Sequence, residues 1–267
     1  MIVLERRKIL TAVFLLLIGF MSLIIQWDMV FYVSVLLIIT GFLIPAEYRM
    51  IYGIAAVCWI SNLFIRYFTL EYNGWFPDAS AEMLMLAKRL PVMIYIILLM
   101  LLFLVCKIRV FDFQWKADFK AGFCLPFIWA GSKMISIRKF VIVASLSNLA
   151  VFAFMIDYSA IQKRFPDLLI FALAFSLLNS TVEEMIWRGM IMPRTAAFFG
   201  EKTGLVINSI MFGLYHYSFG MAWPVCIAFV FGGLYMGGLV LRSGGLLPVW
   251  IFHAALNFGM FLSFNTH

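Results

Sequence analysis

The sequence predicts an all-α fold, a polytopic membrane helical bundle of about eight to nine transmembrane helices, and three observations carry that prediction. Of the 267 residues, 65% are hydrophobic and only 12% charged, where soluble domains carry about 25% charged residues. The mean hydropathy is +1.03. Apolar runs, uncharged in the first half and carrying polar residues in the second, recur along the whole chain at close to the ~20-residue length that crosses a bilayer core. These runs use up most of the length, so no sizeable soluble domain fits beside them.

In chain order the runs fall at 9–25, 29–46, 50–65, 90–106 and 140–156, then after Pro166 at 168–190, 204–219, 222–241 and 246–264. The first follows Arg6, Arg7 and Lys8 and ends at Gln26-Trp27-Asp28 without a small-residue cleavage pattern, so it reads as a retained signal anchor. The stretch 121–132 is apolar but short and contains Pro126, which favours a re-entrant or interfacial segment over a tenth span. A crossing there would invert the topology of everything after it. Gly200/Gly204 and Gly233/Gly237 have the small-xxx-small spacing that permits close helix approach.

The formal charge of +7 is a topology signal in such a chain rather than a nucleic-acid signal. The basic loop from Lys107 to Lys139, with Arg49, Arg194, Lys202 and Arg242, lies on the side of the N-terminus, against Arg66, Lys88, Arg89, Lys163 and Arg164 on the other. The expectation is a multi-pass protein of the plasma membrane, with a cytoplasmic N-terminus, the lipid bilayer as a partner and no nucleic acid. Cys58, Cys106, Cys124 and Cys226 lie too far apart in sequence for a zinc or redox pair. The histidines are His216, His253 and His267.

Composition shifts near residue 139. The expected division is 1–139, N-terminal transmembrane helices with a basic cytoplasmic loop, and 140–267, whose helices carry polar groups where lipid-like residues belong. Glu183, Glu184 and Arg188 fall within six residues of one apolar span, and each charge at mid-span costs about 2.5–3.5 kcal/mol by insertion scales. At 100° per residue Glu184 and Arg188 stack one turn apart on one face, and Glu183 points about 100° away from that pair. Phe212 and His216 share a face at i, i+4 in the next polar helix, and His253 and Asn257 do so in the last.

Each group has a bland structural reading: a self-neutralising Glu–Arg clasp, a hydrogen-bonded core histidine, an interhelical hydrogen bond worth about 0.6 kcal/mol. Together they gather two carboxylates, two imidazoles, a guanidinium and an amide within one short stretch of membrane helices. Such a set can activate water and stabilise an oxyanion, as amide hydrolysis requires. The chain has no His-Glu-x-x-His zinc helix, no Gly-x-Ser-x-Gly nucleophile and no pair of mid-span aspartates. The asymmetry between its halves argues against a small-solute transporter built from matching repeats.

The motifs Glu183-Glu184-x-x-x-Arg188, Phe212-x-x-x-His216 and His253-x-x-x-Asn257 closely resemble, in order, spacing and membrane context, those of the CPBP intramembrane proteases, the CAAX prenyl endopeptidase and bacteriocin-processing (Abi-type) family. The resemblance covers roughly 140–264, and a basic, Phe- and Met-rich chain without extensions resembles the bacterial branch. It implies an endopeptidase acting on a membrane-associated or exported peptide or protein, in which Glu183 with His216 activates water while His253 and Asn257 bind the oxyanion. Glu184, Arg188 and Phe212 are then supporting residues. No cofactor is required outright: Glu183, His216 and His253 could supply a His2Glu set for zinc or another divalent metal, or work as organic acid–base groups. The competing reading is a non-catalytic scaffold of the bacteriocin self-immunity type, and no oligomeric state is implied. With the N-terminus inside, His253 falls about 10 Å and His216 about 18 Å from the inner boundary. The expected cavity therefore lies in the inner half of the bilayer and opens to the cytoplasm.

Overall fold

The computed structural model describes residues 2–112, 114–126, 128–158 and 164–264; Lys163 and His267 lie outside the described residues. Helices occupy all nine expected places. They are α1 (Ile2–Ile24), α2 (Trp27–Leu43), α3 (Arg49–Trp75), a short α4 (Ala81–Ala87), α5 (Met93–Val105) and α6 (Ile137–Met155). After these come α7 (Phe165–Glu184), a short α8 (Met192–Phe199), α9 (Glu201–Tyr215), α10 (Trp223–Ser243) and α11 (Leu247–Phe264). The protein is a helical membrane bundle.

By length and composition six helical stretches among the described residues can cross a membrane: Ala46–Tyr72, Ala81–Val105, Ile137–Met155, Pro166–Phe199, Trp223–Ser243 and Leu247–Phe264. Lys8–Ile24 and Trp27–Leu43 are apolar but shorter, and α9 has only 15 residues. Two helices escape the hydropathy pattern, α4 and α8, because each is a one- or two-turn extension of a longer span. Helix starts follow local chemistry. Ser80 and Ser136 cap α4 and α6, their hydroxyls accepting from the backbone N–H of Met83 and Lys139 at 3.3 Å, and Pro166 sits in the first turn of α7.

None of the described residues of 121–132 is helical. Gly122–Pro126 (β1) and Gly131–Ser136 (β2) pair as an antiparallel hairpin with Gly122 opposite Ser136 and Cys124 opposite Met134. A two-stranded sheet has open edges whose unpaired backbone groups cannot face hydrocarbon. This segment is therefore no tenth span, and no topological inversion follows from it.

The chain forms two compact units that interleave in sequence and draw on both sides of residue 139. One comprises 1–70, 91–112 and 190–234. Its core includes Ile54, Tyr95, Leu99, Phe103, Leu205 and Phe212, all buried. The Tyr95 hydroxyl donates to Asn62 Oδ1 at 2.6 Å, and Asn62 Nδ2 donates to Ser22 Oγ at 2.9 Å, a polar relay tying α5, α3 and α1. Here Gly204 is a packing residue, since a Cβ would fall 2.4 Å from the backbone nitrogen of Ala196, whereas Gly200, at φ 88°, makes the turn between α8 and α9. Arg194 is no loop cation: it is buried, 3.1 Å from Asp112 Oδ2, with its guanidinium 4.5 Å from the Phe103 ring.

The other unit comprises 71–90, 113–189 and 235–267. Its α11 packs along α7 and α6, with Phe175 and Phe261 in ring contact at 5.3 Å. The turn before α11 is strapped by the loop that follows α5. Leu246 and Leu247 donate backbone N–H groups to the carbonyls of Gln114 and Trp115, at 2.9 and 3.1 Å, and Asp118 donates to Ser243 at 2.9 Å. Gly245 permits this approach, because a Cβ there would sit 2.3 Å from the Lys116 carbonyl oxygen.

Candidate active site

The last α-helical turn of α7 delivers Glu183 and Glu184, and there the hydrogen-bond ladder changes: Met185–Ile191 is a π-helix. Such widened turns occur mostly as single insertions in α-helices, frequently at functional sites. Glu184 and Arg188 nevertheless meet as their spacing predicts, with Arg188 Nη1 donating to Glu184 Oε1 at 3.0 Å. Both side chains are wholly buried. Arg188 Nη2 also contacts the Met236 sulfur at 3.4 Å.

Facing them, α11 presents His253. Its register against α7 is set one turn earlier, where Trp250 Nε1 donates to Thr181 Oγ1 at 2.9 Å, and the Trp250 ring meets Trp115 of the strapping loop at 5.7 Å. His253 Nδ1 then lies 2.7 Å from Glu184 Oε1, and its Nε2 lies 3.6 Å from Glu183 Oε2. One imidazole thus spans the two carboxylates. With Nδ1–H committed to Glu184, the neutral ring carries its lone pair on Nε2, and a ring that donates from both nitrogens is the imidazolium.

Glu183 also has a partner that local sequence does not suggest. Arg89, expected in a solvated outer loop, is buried, and its Nη1 lies 3.6 Å from Glu183 Oε1. The cluster is therefore a chain, Arg89–Glu183–His253–Glu184–Arg188, in which the formal charges of two carboxylates and two guanidiniums balance with the imidazole between them. That balance explains how so many ionisable groups remain inside apolar helices. Asn257 is buried one turn beyond His253, and its Nδ2 has no hydrogen-bond partner among the described residues.

Phe212 and His216 belong to the other unit, at the end of α9 and the start of a 3-10 turn. His216 Nδ1 donates to the Phe212 carbonyl at 2.7 Å, which leaves the lone pair of the neutral ring on Nε2. Phe229 stacks on the imidazole with ring centroids 3.7 Å apart, and Phe212 meets it edge-on at 4.7 Å. Phe212 thus supports His216 twice, through its carbonyl and through its ring.

A His2Glu zinc centre needs three converging donors. Glu183 and His253 offer two facing atoms, but among the described residues no group of three His, Cys, Asp or Glu side chains is gathered to hold a metal ion.

Residues 165–259 match the family model described as Type II CAAX prenyl endopeptidase Rce1-like. No curated protein and no solved structure matches the chain. The Rce1-like segment opens at the first residue of α7 and closes just past Asn257, so it contains all three motifs. Over these residues the chain is similar to that endopeptidase family. Arg89 lies outside it.

Proposed function

We propose that this protein is an intramembrane endopeptidase that hydrolyses a peptide bond of a membrane-associated or exported peptide or protein. The observation that carries the reading is the shared imidazole: His253 spans Glu183 and Glu184 within a buried, charge-balanced cluster inside the Rce1-like segment. In this reading Glu183 takes a proton from water as the water oxygen attacks the scissile carbonyl. The electron pair displaced onto the carbonyl oxygen is met by Asn257 Nδ2–H and, with His253 as the imidazolium rather than the neutral ring, by His253 Nε2–H. Collapse of the tetrahedral intermediate breaks the C–N bond, and the proton held by Glu183 passes to the leaving amine.

Glu184 has no reacting atom to touch. It orients His253 by accepting from Nδ1, and Arg188 holds Glu184. A role for His216 as the second imidazole in water activation rests on its motif alone; within its own unit its Nδ1 donates to the Phe212 carbonyl. A plasma-membrane location, a cytoplasmic N-terminus and a site in the inner half of the bilayer belong to the same proposal and suit precursors approached from the cytoplasm.

The test works without an identified substrate. Peptide termini in membrane and secreted fractions are compared by mass spectrometry between cells expressing wild type and cells expressing Glu183→Gln or His253→Ala at equal levels. New termini present only with wild type are expected. Identical termini in all three, with the protein accumulating normally, would leave the non-catalytic scaffold as the better reading.

A further inference from the structure

Outside the matched segment, one buried side chain reaches the proposed base. Arg89 follows α4, immediately before the 3-10 turn Leu90–Val92, and is only 6% exposed. Its Nη1 stands 3.6 Å from Glu183 Oε1, while His253 Nε2 stands 3.6 Å from the other oxygen, Oε2. The carboxylate is therefore flanked on both oxygens by cationic or potentially cationic groups. The guanidinium is itself seated: its central carbon lies 5.1 Å from the ring centroid of Phe175, two turns before Glu183 on α7, in cation–π range.

The short α4 that carries Arg89 to this place is anchored at both ends. At its start, buried Glu82 pairs with Arg164, the residue that precedes α7. At its end, the Ala87 carbonyl accepts from the Tyr72 hydroxyl at 3.1 Å. Two ion pairs of opposite polarity, Glu82–Arg164 and Arg89–Glu183, thus connect α4 to the two ends of α7. An arginine held in this way has little freedom to follow solvent, and its cost of burial is offset by the anion it faces.

We propose that Arg89 is a positioning residue for the hydrolytic reaction, which fixes the rotamer of Glu183 through an ion pair to Oε1 and leaves Oε2 directed at His253 and the attacking water. This inference rests on the proteolytic reading of Glu183, and its two parts are separable by experiment. The pairing is tested by thermal unfolding in detergent of wild type, Arg89→Met, Glu183→Gln, the double variant and Arg89→Lys. Removing one partner of a buried pair should lower the melting temperature by roughly 6 °C or more. The double variant should lie above both single variants, and Arg89→Lys close to wild type. Should Arg89→Met fail to accumulate, the double variant is expected to accumulate in its place. Equal losses from Arg89→Met in the presence and absence of the Glu183 carboxylate would overturn the pairing, as would failure of the double variant to recover.

Positioning is tested by the yield of the wild-type-specific peptide termini described above, normalised to folded protein. Arg89→Met should reduce the yield at least tenfold and Arg89→Lys should restore most of it, a pattern that loss of packing alone does not produce. Full yield from Arg89→Met would overturn the positioning role. If Glu183→Gln itself leaves the termini unchanged, the proteolytic reading and the positioning role fall together, while the stability cycle still decides whether the two residues are paired.

Discussion

His253 Nδ1 lies 2.7 Å from Glu184 Oε1, and that same oxygen accepts from Arg188 Nη1 at 3.0 Å. One carboxylate oxygen therefore joins a charged pair within the span containing α7 to an imidazole on α11. Truncation of either partner leaves an uncompensated charge in an apolar setting, which costs about 3–5 kcal/mol. Arg188→Ala is expected to lower the amount of folded protein in membranes together with activity, measured by size-exclusion of the detergent extract. Normal accumulation with activity alone lost would move Arg188 from folding to substrate binding.

Asn257 offers the opposite combination. Its buried Nδ2 has no hydrogen-bond partner among the described residues, so its removal relieves an unsatisfied donor rather than breaking a bond. Asn257→Ala should leave the melting temperature unchanged or raised, while peptide cleavage falls by about 10²–10³, the usual effect of losing one oxyanion donor. A large loss of stability would show the amide to be structural.

Gly245 is predicted to tolerate no side chain. A Cβ there meets the backbone of Lys116 at 2.3 Å, and main chain cannot swing aside as a flexible side chain does. Gly245→Ala should lower the melting temperature by several degrees and reduce cleavage through displacement of α11. Unchanged stability would mean that the loop is not held against the turn.

The metal question is answered by composition. With two facing donors in the cluster, purified protein is expected to contain well under one equivalent of transition metal by elemental analysis, and chelation should leave cleavage intact. A stoichiometric metal whose removal abolishes activity and whose return restores it would replace the organic mechanism.

Orientation is open to labelling. Lys202 and Arg242 are exposed, unlike the buried Arg194, and a cytoplasmic N-terminus puts both inside. Single cysteines at these positions, in a background without Cys106 and Cys124, should react with an impermeant maleimide only after permeabilisation. Labelling of both in intact cells would reverse the proposed orientation.

What is legible in the sequence is short in range. The i, i+4 spacing of Glu184 and Arg188 specifies their contact, and the runs of apolar residues locate the long helices, because both depend on neighbours within a few turns. Arg89 is illegible for the converse reason: beside Lys88 and ahead of Pro91 it has the local appearance of a loop cation, and only tertiary packing against Phe175 and Glu183 reveals it as buried. The 122–136 hairpin is equally hidden, since a short apolar run with a proline carries no period that separates strand from interfacial segment. Arg194 looks solvated in sequence because its anion, Asp112, is far away along the chain.

The two arginines that flank the paired glutamates also bear on how the chain enters the bilayer. A segment bearing two carboxylates is a poor candidate for insertion by itself, each charge adding about 2.5–3.5 kcal/mol. Arg188 is synthesised within that same segment, and Arg89 has already been delivered with the span before the hairpin when Glu183 emerges. Each glutamate thus has its counter-ion already synthesised before α11 exists, and His253 arrives with the last of the described helices. In biosynthetic order the paired charges come first, and the imidazole that bridges the two carboxylates comes last.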